Sequence, residues 1–200
     1  WYKGEALLPY LEKVDVTEKK QEEGFYMPVQ RVCRPDHTFR GFQGQIESGE
    51  VKVGDEIVTL PSNERAHIKS ILVGDKDSQS AFMGQPVTLQ LDKEVDVSRG
   101  CVIASGNNLP ISKSFTATIL WMDDEELTPG TDYLVKLGTK QIPGILKNIQ
   151  YKIDVNTGEF IPAGQLKKNE IAVCDLDLQE PVVIDEFKKH KTLGELILID

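Results

Sequence analysis

Short runs of β-forming residues, separated by turn residues, fill the chain from Phe25 onward. Val, Ile, Phe and Tyr favour a pleated backbone, whereas Gly, Pro, Asn and Asp interrupt it. Many short strands with regular turn signals are typical of an all-β barrel or sandwich. The candidate strands are Phe25–Cys33, Phe39–Ser48, Glu56–Leu60, Ala66–Val73, Pro86–Leu91 and Gly100–Ala104 in a first set, and Lys113–Met122, Asp132–Leu137, Gln141–Ile153, Glu170–Leu178 and Leu196–Ile199 in a second. Neither set alternates with helical patterns, which argues against an α/β architecture.

The first 24 residues have a different pattern. Leu7, Leu8, Leu11 and Val14 recur at helical spacing, and Pro9 is tolerated only near a first turn, so the helix is expected to begin around Gly4–Ala6. The charged stretch 17–24 has no apolar periodicity and is interpreted as a linker. The sequence therefore predicts a helix in 1–16, a linker in 17–24, a first β-domain in 25–106 and a second in 107–200.

Composition restricts the classes of function. The chain has 200 residues and a formal net charge of −9, which disfavours general binding to phosphate backbones. Two basic clusters, Arg31 with Arg34 and Arg40, and Lys188 with Lys189 and Lys191, are interpreted as solvated surface charge. Three widely spaced cysteines, Cys33, Cys101 and Cys174, indicate reduced thiols and a cytoplasmic protein. No apolar run is long enough to span a bilayer, so no membrane partner is expected.

The segment 49–58 is predicted to be a tight hairpin. Gly49 and Gly54 permit a left-handed backbone, and Asp55 can accept hydrogen bonds from nearby backbone N–H groups. The sequence contains no Gly-x-x-x-x-Gly-Lys-Ser/Thr phosphate loop, the element that directs backbone N–H groups at nucleotide phosphates. We therefore expect no catalytic, cofactor-binding or metal-binding residues in this chain. It opens on Trp1 without Met, as expected for an internal segment of a longer protein.

Several motifs together resemble one family. They are Arg34-Pro35, Phe39-Arg40-Gly41-Phe42, Gly44-Gln45-Ile46, Val53-Gly54-Asp55 and Asp96-Val97-Ser98-Arg99-Gly100 in the first set, and Trp121-Met122, Leu127-Thr128-Pro129-Gly130, Lys136-Leu137-Gly138-Thr139, Asp154-Val155-Asn156-Thr157 and Leu166–Ile171 in the second. The Val-x-x-Gly-Asp hairpin is shared with elongation factor Tu and most translational GTPases. The other motifs are narrower and resemble domains two and three of the GTPase subunit of bacterial sulfate adenylyltransferase.

The resemblance implies a fold and a function. It implies two consecutive Greek-key-like β-barrels, preceded by the last helix of a GTPase domain that is absent here. The family couples GTP hydrolysis to the synthesis of adenylylsulfate from ATP and sulfate. GTP and Mg²⁺ would bind the missing GTPase domain, and ATP would bind a small catalytic subunit that the barrels dock. The resemblance also allows a fused adenylylsulfate kinase. It implies a last strand after Asp200, so we expect an unpaired edge near Leu196–Ile199.

The sequence also has features of other functions. An elongation factor whose barrels hold aminoacyl-tRNA is the alternative, and it predicts a coherent basic face. Gly41-Phe42-Gln43-Gly44 fits a KH-type loop, but its flanks are β-forming. The stretch 75–80 begins like a calcium loop yet lacks the required Gly and Glu, and Asp123–Glu126 is interpreted as a solvated loop. Trp121 is interpreted as core packing or, alternatively, as a contact for a partner. The apolar stripe of the helix is expected to cover a barrel surface or to pack on a neighbouring molecule.

Overall fold

The computed structural model describes residues 1–14, 24–36, 39–106 and 108–199. The predicted linker 17–24 therefore lies, except for Gly24, outside the described residues. The first set of strands is β1 (Phe25–Pro28), β2 (Arg31–Cys33), β3 (Gly41–Gln45), β4 (Glu50–Lys52), β5 (Glu56–Leu60), β6 (Glu64–Val73), β7 (Lys76–Ser78), β8 (Ser80–Phe82), β9 (Pro86–Leu91) and β10 (Val102–Ser105). The second set is β11 (Ile111–Leu120), β12 (Asp132–Leu137), β13 (Lys140–Ile153), β14 (Phe160–Ile161), β15 (Ile171–Val183) and β16 (Leu196–Ile199).

The N-terminal helix α1 (Leu7–Lys13) has no buried residue. Pro9 is its third residue, where a backbone N–H has no intrahelical acceptor to lose. Leu7, Leu8 and Leu11 are 72%, 67% and 56% exposed, so the expectation that they cover a barrel surface is wrong. Packing on a neighbouring molecule stays a prediction.

Most strands of the first set form one sheet, with the order β1-β10-β5-β6-β9-β3-β2 and β7 beside β6, while β4 and β8 pair separately. The sheet closes on itself, because β1 and β2, at its two ends, follow each other directly in the chain. The predicted single strand over Phe25–Cys33 is therefore two strands, because the chain changes partner from β10 to β3. At this change the N–H of Val29 donates to the carbonyl of Cys101 at 2.8 Å, and the N–H of Gln30 donates to the carbonyl of Gln43 at 2.8 Å.

The predicted tight hairpin has the expected geometry. Gly54 has φ of 94°, a left-handed value that favours glycine. The N–H of Lys52 donates to Oδ2 of Asp55 at 2.8 Å, and the N–H of Asp55 donates back to the carbonyl of Lys52 at 3.1 Å. Asp55 thus holds the turn that connects β4 to β5.

The strands of the second set form an open sheet. Its order is β11-β15-β13-β12-β16, with β14 beside β13, and each neighbouring pair is antiparallel. Side chains of β15 alternate between a buried and a less buried face, as one-sided burial requires. Ala172, Cys174, Leu176 and Leu178 face a second core. Among the described residues, β11 and β16 have no strand on their outer sides, and the expected free edge is at β16.

The all-β prediction is confirmed. The domain limits 25–106 and 107–200 stay predictions. A second short helix, α2 (Lys191–Gly194), was not predicted from the sequence. Its four residues carry too little periodicity to be distinguished from a turn, and its only buried residue is Leu193.

Candidate functional site at the seam between the barrels

The two sets of strands meet through a third apolar cluster, which we call the seam. Its members come from both sets and are all buried: Tyr26, Leu60, Val102, Ala104, Leu109, Val183 and Leu193. Burying an aliphatic side chain of this size is worth roughly 1.5–3 kcal/mol relative to exposing it. Several such side chains therefore hold the two sets of strands together.

Backbone and polar contacts extend the seam. The hydroxyl of Thr139, in the β12–β13 turn, donates to the carbonyl of Val29 at 3.2 Å. Nε of Arg99 donates to the carbonyl of Thr139 at 3.2 Å. A Cβ added at Gly100 would lie 2.6 Å from Cβ of Lys140, and Gly100 has φ of 90°. The glycine thus permits a close approach between the barrels that another residue would obstruct.

A buried contact between a histidine and a carboxylate lies at one end of the seam. Nδ1 of His190 lies 2.9 Å from Oδ2 of Asp185, and the two side chains are 9% and 12% exposed. The rings of His190 and Tyr26 pack edge to face, with centroids 5.1 Å apart. The hydroxyls of Tyr26 and Thr192 lie 3.4 Å apart. α2 and the residue before it therefore dock against β1 of the other barrel.

Asp185 stays ionised in this setting. Burial by itself would raise the pKa of its carboxyl group. The backbone N–H of Glu186, which donates to Oδ1 at 2.7 Å, and the imidazole of His190 outweigh burial and hold the pKa below its ordinary value. The carboxylate is thus a fixed negative charge against which His190 is oriented.

Two arginines of the first basic cluster, Arg34 and Arg40, are engaged in structural contacts. Nη1 of Arg40 lies 2.5 Å from Oε2 of Glu94 and donates to the carbonyl of Val95 at 3.0 Å. Its guanidinium also lies over the ring of Phe42, 5.1 Å from the centroid. Arg34 reaches the same Glu94 carboxylate at 3.6 Å. These arginines hold the loop before β10 rather than offering a basic face.

The motifs that resemble a KH loop, a calcium loop and a carboxylate cluster lie in a strand, a hairpin and a loop. Gly41-Phe42-Gln43-Gly44 lies inside β3, and 75–80 forms the hairpin from β6 to β8. Asp123–Glu126 is an exposed loop, as interpreted from the sequence. In the described part of the chain no group of three or more His, Cys, Asp or Glu side chains could hold a metal ion.

Trp121 and two of the cysteines, Cys101 and Cys174, pack in the interior. Trp121 is 7% exposed in the second core and donates its indole N–H to the carbonyl of Glu125 at 2.6 Å. Its interpretation as core packing is confirmed. Burial raises the pKa of the Cys174 thiol to about 11, and the charge of Asp175 adds to this effect. A thiol so rarely ionised is a weak nucleophile.

The sequence did not reveal the residues of the seam. Tyr26 reads as one more strand residue, and His190 reads as part of a lysine-rich loop. The motif Lys136-Leu137-Gly138-Thr139 was the one available signal, because it places Thr139 in a turn that reaches Val29.

Two solved structures share this fold, those of Sup35 and of a translation elongation factor. Sup35 in complex with GMPPNP matches with a TM-score of 0.83 and 25% identity, over 100% of this chain and 50% of Sup35. Elongation factor SelB of Methanococcus maripaludis, in its apo form, matches with a TM-score of 0.65 and 23% identity, over 89% of this chain and 40% of SelB. Residues 114–200 match the family described as GTP-eEF1A C-terminal domain-like. The chain is thus a pair of translation-factor-type β-barrels.

Relatives by sequence define the pair more narrowly. Sulfate adenylyltransferase subunit 1 of Teredinibacter turnerae is 41% identical over 201 residues, which is 100% of this chain and 43% of that protein. The bifunctional enzyme CysN/CysC of Rhodopirellula baltica is 40% identical over 100% of this chain and 31% of its own length. The whole chain is homologous to part of sulfate adenylyltransferase subunit 1, and the resemblance seen in its motifs is confirmed. It spans less than half the length of these relatives.

Within the described residues, no helix is both long and apolar enough to cross a membrane.

Proposed function

We propose that the chain is the non-catalytic barrel portion of a GTP-dependent sulfate adenylyltransferase. In this proposal the longer protein makes adenylylsulfate from ATP and sulfate and couples that synthesis to GTP hydrolysis. GTP and Mg²⁺ bind a GTPase domain outside residues 1–200, and ATP binds a small catalytic subunit. The supporting observation is 41% identity to sulfate adenylyltransferase subunit 1 over 100% of this chain.

The seam supports a mechanical role for the barrels. Its buried cluster and the hydrogen bond from Thr139 to Val29 join the barrels into one body. A rigid-body movement of the GTPase domain against one barrel would then reach the catalytic subunit docked on the other. The barrels themselves contribute no chemical group to the reaction. A fused adenylylsulfate kinase, as the name CysN/CysC suggests for a relative, is compatible with this role.

The free cysteines support a cytoplasmic protein. None of the three, Cys33, Cys101 and Cys174, is in a disulfide. The translation-factor alternative has weaker support, namely a family match limited to residues 114–200 and solved structures that are 25% identical or less. The net charge of −9 also disfavours an RNA partner, so we do not adopt this alternative.

Docking is tested by competition. Residues 1–200 in excess are expected to displace the full-length subunit 1 from an immobilised small catalytic subunit. If apolar surface dominates the contact, the displacement should persist in 0.5 M salt, because salt at that concentration screens interactions between exposed charges and not apolar contacts. A chain that folds but does not compete would remove the docking role from these barrels.

Transmission through the seam is tested in the full-length protein. Leu193→Ala is expected to lower the amount of adenylylsulfate made per GTP hydrolysed, because it loosens the contact between the barrels. Phe82→Ala is the matched control, since Phe82 is 55% exposed and lies outside the seam. Equal coupling in the two variants would contradict the mechanical role.

A further inference from the structure

The outer face of the second sheet is apolar at one end. Ala172, Cys174 and Leu176 of β15 face the second core, so Ile171 and Val173, which alternate with them, lie on the outer face. The register extends this face over four strands. Ile171 is paired with Leu120 on β11 and with Ile153 on β13, Ile153 with Phe160 on β14, and Val173 with Tyr151 on β13. We call these six residues the outer patch.

The outer patch is accessible in this chain. Leu120 and Phe160 are 52% and 67% exposed, and the other four members are half-buried and lie outside the second core. The rings of Tyr151 and Phe160 pack together, with centroids 4.5 Å apart. Four strands about 4.8 Å apart, with successive outward pairs about 7 Å apart along them, give an apolar area of roughly 300 Å² once the side chains are included. Apolar patches of about 300–600 Å² on soluble proteins are often functional.

The hairpin that carries Phe160 is held in one conformation. The N–H groups of Asn156 and Thr157 donate to Oδ1 of Asp154 at 2.8 and 3.2 Å. The N–H of Asp154 donates to the carbonyl of Glu159 at 2.9 Å. A surface that is ordered in advance loses little conformational entropy when a partner binds.

Carboxylates border the outer patch on two sides. Asp154 follows Ile153 into the turn, and the N–H groups of that turn hold the pKa of its carboxyl group below the ordinary value. Asp175 is the next outward residue of β15 after Val173, and hydrogen bonds, the largest from the hydroxyl of Thr116, lower its pKa as well. Both carboxylates therefore stay ionised, and charge complementarity favours a partner with lysine or arginine around an apolar centre.

The outer patch and the seam lie at opposite ends of the same strands. β15 begins at Ile171 in the patch and ends at Val183 in the seam, which for its 13 residues is a span of roughly 40 Å. β13 begins at Lys140, beside Gly100 of the first barrel, and ends at Ile153. A partner on the patch is thus joined to the first barrel by continuous strands. A strand paired with an edge of this sheet would lie in its plane and leave the outer face open.

We propose that the outer patch is the surface on which the small catalytic subunit docks, covering it with apolar side chains ringed by lysine or arginine. This inference rests on the proposed function, in which the barrels dock that subunit. Tyr151 and Phe160 are the central contacts, because aromatic residues carry much of the binding energy at such interfaces. A second copy of this chain is a poor occupant, because each copy has a net charge of −9 and the bordering carboxylates would face each other.

The test uses substituted forms of residues 1–200 as competitors for an immobilised small catalytic subunit. Phe160→Lys should raise the concentration that displaces half of the full-length subunit 1 by about tenfold or more, because it removes an aromatic contact and adds a charge like that of the partner's rim. Phe82→Lys is the matched control, since Phe82 is 55% exposed on β8 of the first barrel, and it should compete as the unsubstituted chain does. Circular dichroism verifies that both variants fold. Glu159→Lys should slow association about threefold in 50 mM salt and not in 0.5 M salt, where exposed charges are screened.

The outcomes separate this surface from the proposed function. If the unsubstituted chain competes and Phe160→Lys competes equally well, the outer patch is not the docking surface, although the barrels still dock the subunit. If the unsubstituted chain folds but does not compete, docking by the barrels fails, and this surface fails with it.

A second measurement identifies the occupant. Val155, at the tip of the hairpin, is 69% exposed, so Val155→Cys in the full-length protein should react with a maleimide and become protected when the small catalytic subunit is added. Mass spectrometry of the labelled peptide reports the reaction. A thiol protected before that addition would assign the patch to another domain of the same protein, and protection that rises with protein concentration would assign it to a second copy. Either result would overturn the proposal.

Discussion

Truncation of Leu193 at the seam is expected to separate the unfolding of the two barrels. Leu193 is 5% exposed and belongs to a cluster of seven buried residues that draws on both sets of strands. Leu→Ala substitutions in cores cost about 2–5 kcal/mol. The seam is small and Leu193 already borders a cavity of about 30 Å³, so neighbours have room to relax and we expect about 2–3 kcal/mol.

The measurement uses two probes in a urea titration. Trp1 is fully exposed, so Trp121 in the second core dominates the change in fluorescence, whereas far-ultraviolet circular dichroism follows both barrels. The two curves should coincide for the unsubstituted chain and separate for Leu193→Ala. Phe160→Ala should leave them together, because Phe160 is exposed. Separate curves in the unsubstituted chain, or coincident and unshifted curves in Leu193→Ala, would refute coupling through the seam.

Four further outcomes can be measured. Asp55→Ala should lower the free energy of unfolding by about 1 kcal/mol, because the N–H of Lys52 loses its acceptor, and Asp55→Asn should lower it less. Gly100→Ala should lower the free energy of unfolding by more than about 1 kcal/mol, because φ is 90° and the added Cβ would clash with the side chain of Lys140. A melting temperature equal to that of the unsubstituted chain would contradict this. The pKa of Asp185 is lower in the folded chain than in the unfolded chain, so the ionised carboxylate stabilises the fold above the unfolded pKa of about 3.9. This stabilisation is lost as the pH falls through the folded pKa. Asp185→Asn should therefore flatten that part of the acid unfolding curve. Cys174, with a pKa of about 11, should resist alkylation at pH 8 in the folded chain while the half-buried Cys33 reacts, as mass spectrometry of labelled peptides would reveal.

Local patterns predicted the strands whose two ends are both marked by turn residues. Glu56–Leu60, Pro86–Leu91, Asp132–Leu137 and Leu196–Ile199 have the bounds that the sequence predicts. The short strands β4, β7, β8 and β14 were missed because two or three residues carry no measurable alternation. The end of β15 at Val183 lies beyond the predicted end at Leu178, because Val182 and Val183 pair with Ser112 and Ile111, which are distant in sequence.

The candidate site could be predicted only in part. The apolar stripe of α1 predicted burial that does not occur within this chain, because periodicity reports which face is apolar and not what lies against it. The same limit applies to the seam. Tyr26 and His190 are 164 positions apart in the sequence, and no local pattern predicts that their rings pack together.

Alternation of side chains and the placement of turn residues are local properties, and by themselves they determined that this chain is all-β, in two sets of strands, with the Asp55 turn and without a phosphate loop. The tertiary structure determined which sheet closes, which sheet has open edges, and which residues join the two sheets. Closure of the first sheet, the open edges of the second and the seam depend on contacts between residues far apart in sequence, and those contacts form only where burial of distant apolar surfaces offsets the entropy of ordering them.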